Sequence, residues 1–95
     1  MIRHVVLFKL RSGLPPETAD NIFTALKALQ SQIPGIIAIS TGADVSPEGL
    51  QRGNSHGFTV DFVDAAARDI YLPHPKHQKV GAMIVASSEG GVDGI

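Results

Sequence analysis

Ile2 to Leu10 is rich in Val, Leu and Phe and carries apolar side chains on both parities of an extended chain. Ile2, Val6, Phe8 and Leu10 occupy even positions, and Val5 and Leu7 occupy odd ones. Successive side chains of a strand point to opposite faces, so a strand of this kind needs cover on both sides. The rest of the chain supplies helices for one side only, and that mismatch shapes the expected fold.

Ser12-Gly13-Leu14-Pro15-Pro16 breaks the strand and opens a helix, because proline suits the first helical turn. From Glu17 to Ile33 the residues Ala19, Ile22, Phe23, Leu26, Leu29 and Ile33 recur at three and four, which makes one apolar stripe. Pro34-Gly35 stops this helix. Ile36 to Val45 reads as a second strand, apolar on both parities at its start (Ile36, Ile37, Ala38, Ile39), and a polar connection is expected over 46–55. His56 to Val63 alternates sharply: His56, Phe58, Val60 and Phe62 on one face, Gly57, Thr59, Asp61 and Val63 on the other. Asp64 is placed to cap a short helix from Ala65 to Leu72. Pro73-His74-Pro75 interrupts that helix, and Pro75 starts another helical piece through about Ala86. Ser87 to Gly91 is a loop, and Val92 to Ile95 is the expected final strand.

This order, β-α-β-β-α-β, gives an α+β class: a ferredoxin-like four-stranded antiparallel sheet with both helices on one face. The other face would leave Val5, Leu7, Ile37, Ile39 and Val63 bare, so a partner is expected there. Pairing two open sheet faces in a homodimer closes it. Ninety-five residues fit one domain, 1–95, whose core is thin without such a partner.

Charge and composition exclude several functions. Eight Lys and Arg balance nine Asp and Glu with no block of like charge, which argues against nucleic acid and against a polybasic membrane segment. An RNA-reading sheet would want aromatic residues on its open face, where Gly57, Thr59 and Asp61 stand instead. The apolar run Val5 to Phe8 is too short for a signal or membrane segment, so a cytoplasmic location is expected. There is no cysteine, hence neither a disulfide framework nor a thiolate nucleophile. His74 and His77 have a metal-ligand spacing, but Pro75 lies between them and further ligands are missing, so no metal and no cofactor are expected.

Two groups of residues could carry chemistry. In the run Tyr71-Leu72-Pro73-His74-Pro75-Lys76-His77, Tyr71 and His77 flank a helix break. Imidazole as a residue type accepts protons at neutral pH, and a phenol can donate to a carbonyl oxygen. The plainer reading makes His74 a helix cap, His77 a cover for a helix end and Tyr71 a core residue. The second group is His4 and His56, each on the even face of its strand and so on the helix-covered side. Polar groups on an apolar face must find partners or line a wet cavity. All four side chains are therefore expected to converge on one cavity, with Phe23 and Phe58 among its apolar walls.

His4-Val-Val-Leu-Phe-Lys at the start, Pro34-Gly35 after the first helix, Gly42-Ala43-Asp44 in the second strand and Tyr71 followed by His74-Pro75-Lys76-His77 together resemble the stress-responsive A/B barrel (Dabb) family. The resemblance covers essentially the whole chain and implies a dimeric α+β barrel. In a plant polyketide cyclase of that family the equivalent of His77 is the general base, and that of Tyr71 assists by hydrogen bonding. His4 and His56 also match positions of that cyclase's pocket. Pro73 departs from the aliphatic residue found there, and the first helix offers no tyrosine. The expected function is a small-molecule pocket. Two uses stay open: a cofactor-independent cyclase or lyase acting on a polyketide-like or β-dicarbonyl substrate, with His77 and Tyr71 catalytic and His4, His56, Phe23 and Phe58 binding, or a non-catalytic ligand-binding homodimer.

Overall fold

The computed structural model describes residues 1–43 and 55–95. The chain runs β1 (Ile2–Phe8), α1 (Thr18–Gln32), β2 (Ile36–Ala43), β3 (His56–Phe62), α2 (Ala65–Tyr71) and α3 (Pro75–Ser87), and ends in a 3-10 turn, Gly91–Gly94. Asp44, Val45 and all of the expected 46–55 connection except Ser55 lie outside the described residues. The sheet has the order β1-β3-β2 with both pairings antiparallel, so the sharply alternating strand sits at its centre.

The even residues of β3 carry the core. Val60 and Phe62 are fully buried, with Phe58 nearly so, against Ile22, Leu26, Leu29 and Ile33 from the α1 stripe. Val80 and Ile84 of α3 complete the helix layer. Burying one such aliphatic side chain contributes about 1.5–3 kcal/mol. α2 begins as expected, with the Ala67 N–H donating to Asp64 Oδ1 at 2.9 Å.

The first difference from expectation is the final strand. Val92 to Ile95 forms no strand; among the described residues there are three strands and an isolated bridge between Leu10 and Ser88. The Arg11 N–H donates to Ser87 O at 2.9 Å and the Glu89 N–H to Lys9 O at 2.7 Å. The pairing just past the end of β1 is thus made by residues read from sequence as loop. Gly90 and Gly91 then adopt φ of +81° and +62°, which turns the chain away from the sheet before Val92 is reached.

The second difference concerns β2. Ile36 pairs with Phe62 and Ala38 with Asp61, so Ile37 is an extra residue in a bulge. A one-residue slip moves every later side chain to the other face. Ile39, expected on the open face, instead lies opposite Val60 and packs against the core. Val5, Leu7, Ile37 and Val63 remain exposed as expected. Among them runs a bidentate ion pair, with Arg3 Nε and Nη2 donating to the two Asp61 carboxylate oxygens at 2.7 and 3.0 Å. This pairing holds the Asp61 carboxyl below its ordinary range.

The turn between α1 and β2 depends on Gly35, which has φ of +92°. A Cβ there would stand 2.6 Å from the Ala67 Cβ, so α2 packs directly on the glycine. Gly35→Ala should destabilise the fold by about 2–3 kcal/mol through left-handed strain plus this clash, read as a lower urea midpoint at an unchanged slope.

Candidate functional site at the helix break

Pro73 and Pro75 create the site by stopping α2 and removing backbone donors. In a continuous helix the Leu72 carbonyl would accept the N–H of Lys76. Here that N–H goes to His74 Nδ1 at 3.1 Å, with His74 capping α3 and Pro75 in its first turn. The His74 N–H closes α2 by donating to Tyr71 O at 3.0 Å. The Leu72 carbonyl is therefore left over at a helix end. It accepts from Gln78 Nε2 and from His77 Nδ1, each at 2.8 Å.

That bond fixes the tautomer of His77. A carbonyl oxygen only accepts, so the hydrogen must sit on Nδ1, and the neutral ring carries its lone pair on Nε2. The His77 ring packs on Tyr71 with centroids 4.1 Å apart. Tyr71 also meets Phe62 edge-on at 5.0 Å and His4 at 6.5 Å. Its side chain is fully buried, and its hydroxyl has no hydrogen-bond partner among the described residues. Leaving such a donor unmatched costs about 1–3 kcal/mol. Burial pushes the Tyr71 phenol up to about 12, so it stays a donor at neutral pH. His4 is half-buried and moves the other way: burial lowers its pKa, and the charge of Arg68, with that of His77 when protonated, lowers it further. It is neutral at pH 7.

His4, Tyr71 and His77 therefore come together beneath the helix break. His56 does not join them, which corrects the expectation of a single four-residue cluster. It lies on the same sheet face, but pairs with Phe8, four residues along β1 from His4. At about 3.3 Å per residue the two stand roughly 13 Å apart along the strand. The His56 ring stacks on Phe8 at 6.0 Å and meets Phe23 at 5.9 Å. Phe23 is thus a neighbour of His56, whereas Phe58 sits deeper, edge-on to Phe8 at 6.3 Å. Parity predicts the face of a residue but not its place along the strand. Among the described residues no group of three or more His, Asp or Glu is placed to hold a metal ion.

Three contributors are absent from the sequence-derived set. The Leu72 carbonyl could have been found, because two prolines within three residues must orphan a helix-end acceptor. Arg68 lies one helical turn before Tyr71 on α2, a spacing that puts both on one side of a helix. Ser55 bonds His56 from the preceding residue, and no periodicity signals that contact.

These elements define a ferredoxin-like α+β domain with a polar cluster under its broken second helix. The chain belongs to the stress-responsive A/B barrel domain family, whose model matches residues 2–90. It is 29% identical over 86 residues to the stress-response A/B barrel domain-containing protein HS1 of Arabidopsis thaliana, covering 90% of this chain and 79% of that one. A dimeric ferredoxin-like protein of unknown function from Jannaschia sp. superimposes with a TM-score of 0.82 at 33% identity, over 97% of this chain and 89% of that one. Hydroxynitrile lyase from Passiflora edulis has a TM-score of 0.84 over 92% and 82% of the two chains, but at 22% identity, so this likeness is one of fold. Among the described residues no helix is long and apolar enough to cross a membrane.

Tyr71 is the sole tyrosine of the chain, so its ionisation is directly visible. Phenolate absorbance should appear with a midpoint near pH 12 in the folded protein, against about 10 after unfolding. Because the folded pKa is raised, this contribution to stability is complete below pH 10 and is lost as pH rises towards 12. The loss amounts to about 2–3 kcal/mol. Chemical denaturation across that range checks it, and Tyr71→Phe should flatten the decline. His4 has the opposite sign. Its lowered pKa makes stability complete above about 6.5 and lost as pH falls below it.

Proposed function

We propose that the helix side of the sheet is a small-molecule pocket. In it His77 accepts a proton from a carbon next to a carbonyl, and Tyr71 donates to the oxygen that gains charge. The observation that carries this reading is the buried, unmatched Tyr71 hydroxyl packed on a histidine whose lone pair is confined to Nε2. A phenol that stays protonated can hold an enolate oxygen, and a neutral imidazole lone pair can take the proton. Substrates of this class are β-dicarbonyl or polyketide-like compounds. The C–H electrons pass into the enolate, the enolate carbon adds to a second carbonyl, and the proton on His77 goes to the new alkoxide. No cofactor enters this balance. His4, neutral and beside Tyr71, and His56, Phe23 and Phe58 farther along the sheet, are the proposed binding residues.

The same proposal makes one domain of residues 1–95, places it in the cytoplasm and pairs it with a second copy through the open sheet face, without nucleic acid or membrane. Val5 and Leu7 are 58% and 53% exposed on the open face of β1, and the Jannaschia relative is a dimeric protein. A partner face would bury both side chains along with the Arg3–Asp61 pair. Leu7→Asp should halve the mass seen by sedimentation or unfold the protein, because an unpaired charge at such an interface is strongly disfavoured. A wild-type chain that sediments as a monomer at micromolar concentration would rule out the pairing.

Catalysis is tested with a panel of β-diketones and linear triketones. His77→Ala should lower turnover by on the order of a hundredfold or more, while Tyr71→Phe should cost less and keep the fold. Ligands that bind the wild-type protein without any turnover would instead establish the non-catalytic, ligand-binding homodimer.

A further inference from the structure

The second histidine of the proposed pocket has a serine hydroxyl against one ring nitrogen. Ser55 stands immediately before β3 and is held from three directions. Its backbone N–H donates to Phe8 O at 3.0 Å, and its Oγ accepts the Leu10 N–H at 3.2 Å. Oγ also lies 2.7 Å from His56 Nδ1. One lone pair of Oγ is given to Leu10, and among the described residues His56 Nδ1 is the group placed to accept the single hydroxyl hydrogen. Donation from Oγ to Nδ1 leaves the neutral imidazole with its hydrogen on Nε2. Phe8 and Phe23 hold the ring from the side, so the orientation of that N–H is set by packing as well.

We propose that Ser55 is a positioning residue that fixes His56 as the Nε2–H tautomer, so that the His56 end of the pocket donates a hydrogen bond to a ligand oxygen. The two ends then differ in kind. His77 receives its fixing bond at a carbonyl and presents a lone pair, whereas His56 receives its own from a hydroxyl and presents a hydrogen. A ligand that spans them reaches on the order of 10 Å along the sheet, given the strand rise. It carries an acidic C–H near Tyr71 and, at the far end between aromatic rings, an oxygen that accepts: a carbonyl, carboxylate or phenolate. This assignment rests on the pocket reading above and extends it to the class of group recognised at the far end.

Long-range proton–nitrogen correlation spectra of the wild-type protein at pH 8 test it without any substrate. His56 should show a protonated Nε2 and an unprotonated Nδ1, and His77 the reverse pair. Ser55→Ala should move both His56 nitrogen resonances towards the averaged positions of a tautomer mixture, and Ser55→Thr should restore the wild-type pattern. A wild-type His56 protonated on Nδ1, or a Ser55→Ala pattern identical to wild type, overturns the proposal. The His77 resonances serve as the internal control. A wrong His77 tautomer with a correct His56 would sink the proton-transfer reading while leaving the role of Ser55 intact.

Discussion

β3 is the strand on which the rest of the structure depends. It is hydrogen-bonded on both sides, so its register fixes β1 and β2 together. Its strict alternation gives the even residues to the helices and the odd residues to the open face. Phe58, Val60 and Phe62 anchor the core, while Gly57, Thr59 and Asp61 form the centre of the opposite surface. Gly57 matters there because a Cβ would come within 2.8 Å of Leu7 Cδ2, so the leucine lies against the bare backbone. The same ladder sets His4 and His56 four residues apart along β1. A strand slipped by one residue would put both histidines on the open face, away from Tyr71 and His77.

On that platform the helix break acts locally. Two prolines take away backbone donors, a leftover carbonyl then accepts from His77, and the ring is pinned against Tyr71. Burial does the rest, keeping the phenol protonated and His4 neutral. The arrangement of Tyr71 and His77 thus arises from missing backbone hydrogen bonds rather than from a strong charge. The only close charge pair on the sheet, among the described residues, is Arg3–Asp61, and it lies on the other face.

Much of this was legible from residue types. The α1 stripe, the Asp64 cap, the Pro75 start of α3 and the alternation of β3 all appear in the structure, because each depends on contacts within a few residues. What was not legible depended on the sheet as a whole. The bulge at Ile37 cannot be read from Ile36-Ile37-Ala38-Ile39, since four apolar residues in a row carry no parity. The edge position beside β1 went to Ser88 rather than to Val92–Ile95. Reach from the end of α3 decided that outcome, and a pair of left-handed glycines carried the remaining residues away.

The sequence by itself determined the order of elements as far as α3, the sheet face of His4 and His56 and the place where the second helix must break. Those follow from periodicity and from the chemistry of proline, which act over one or two turns. Only the tertiary structure decided which polar groups share a site, because distance along a strand is set by register between distant segments. It also decided the tautomer of His77. The hydrogen on His77 belongs to Nδ1 because a carbonyl five residues away faces it, and His56 meets the hydroxyl of Ser55, which also accepts the Leu10 N–H from another strand segment.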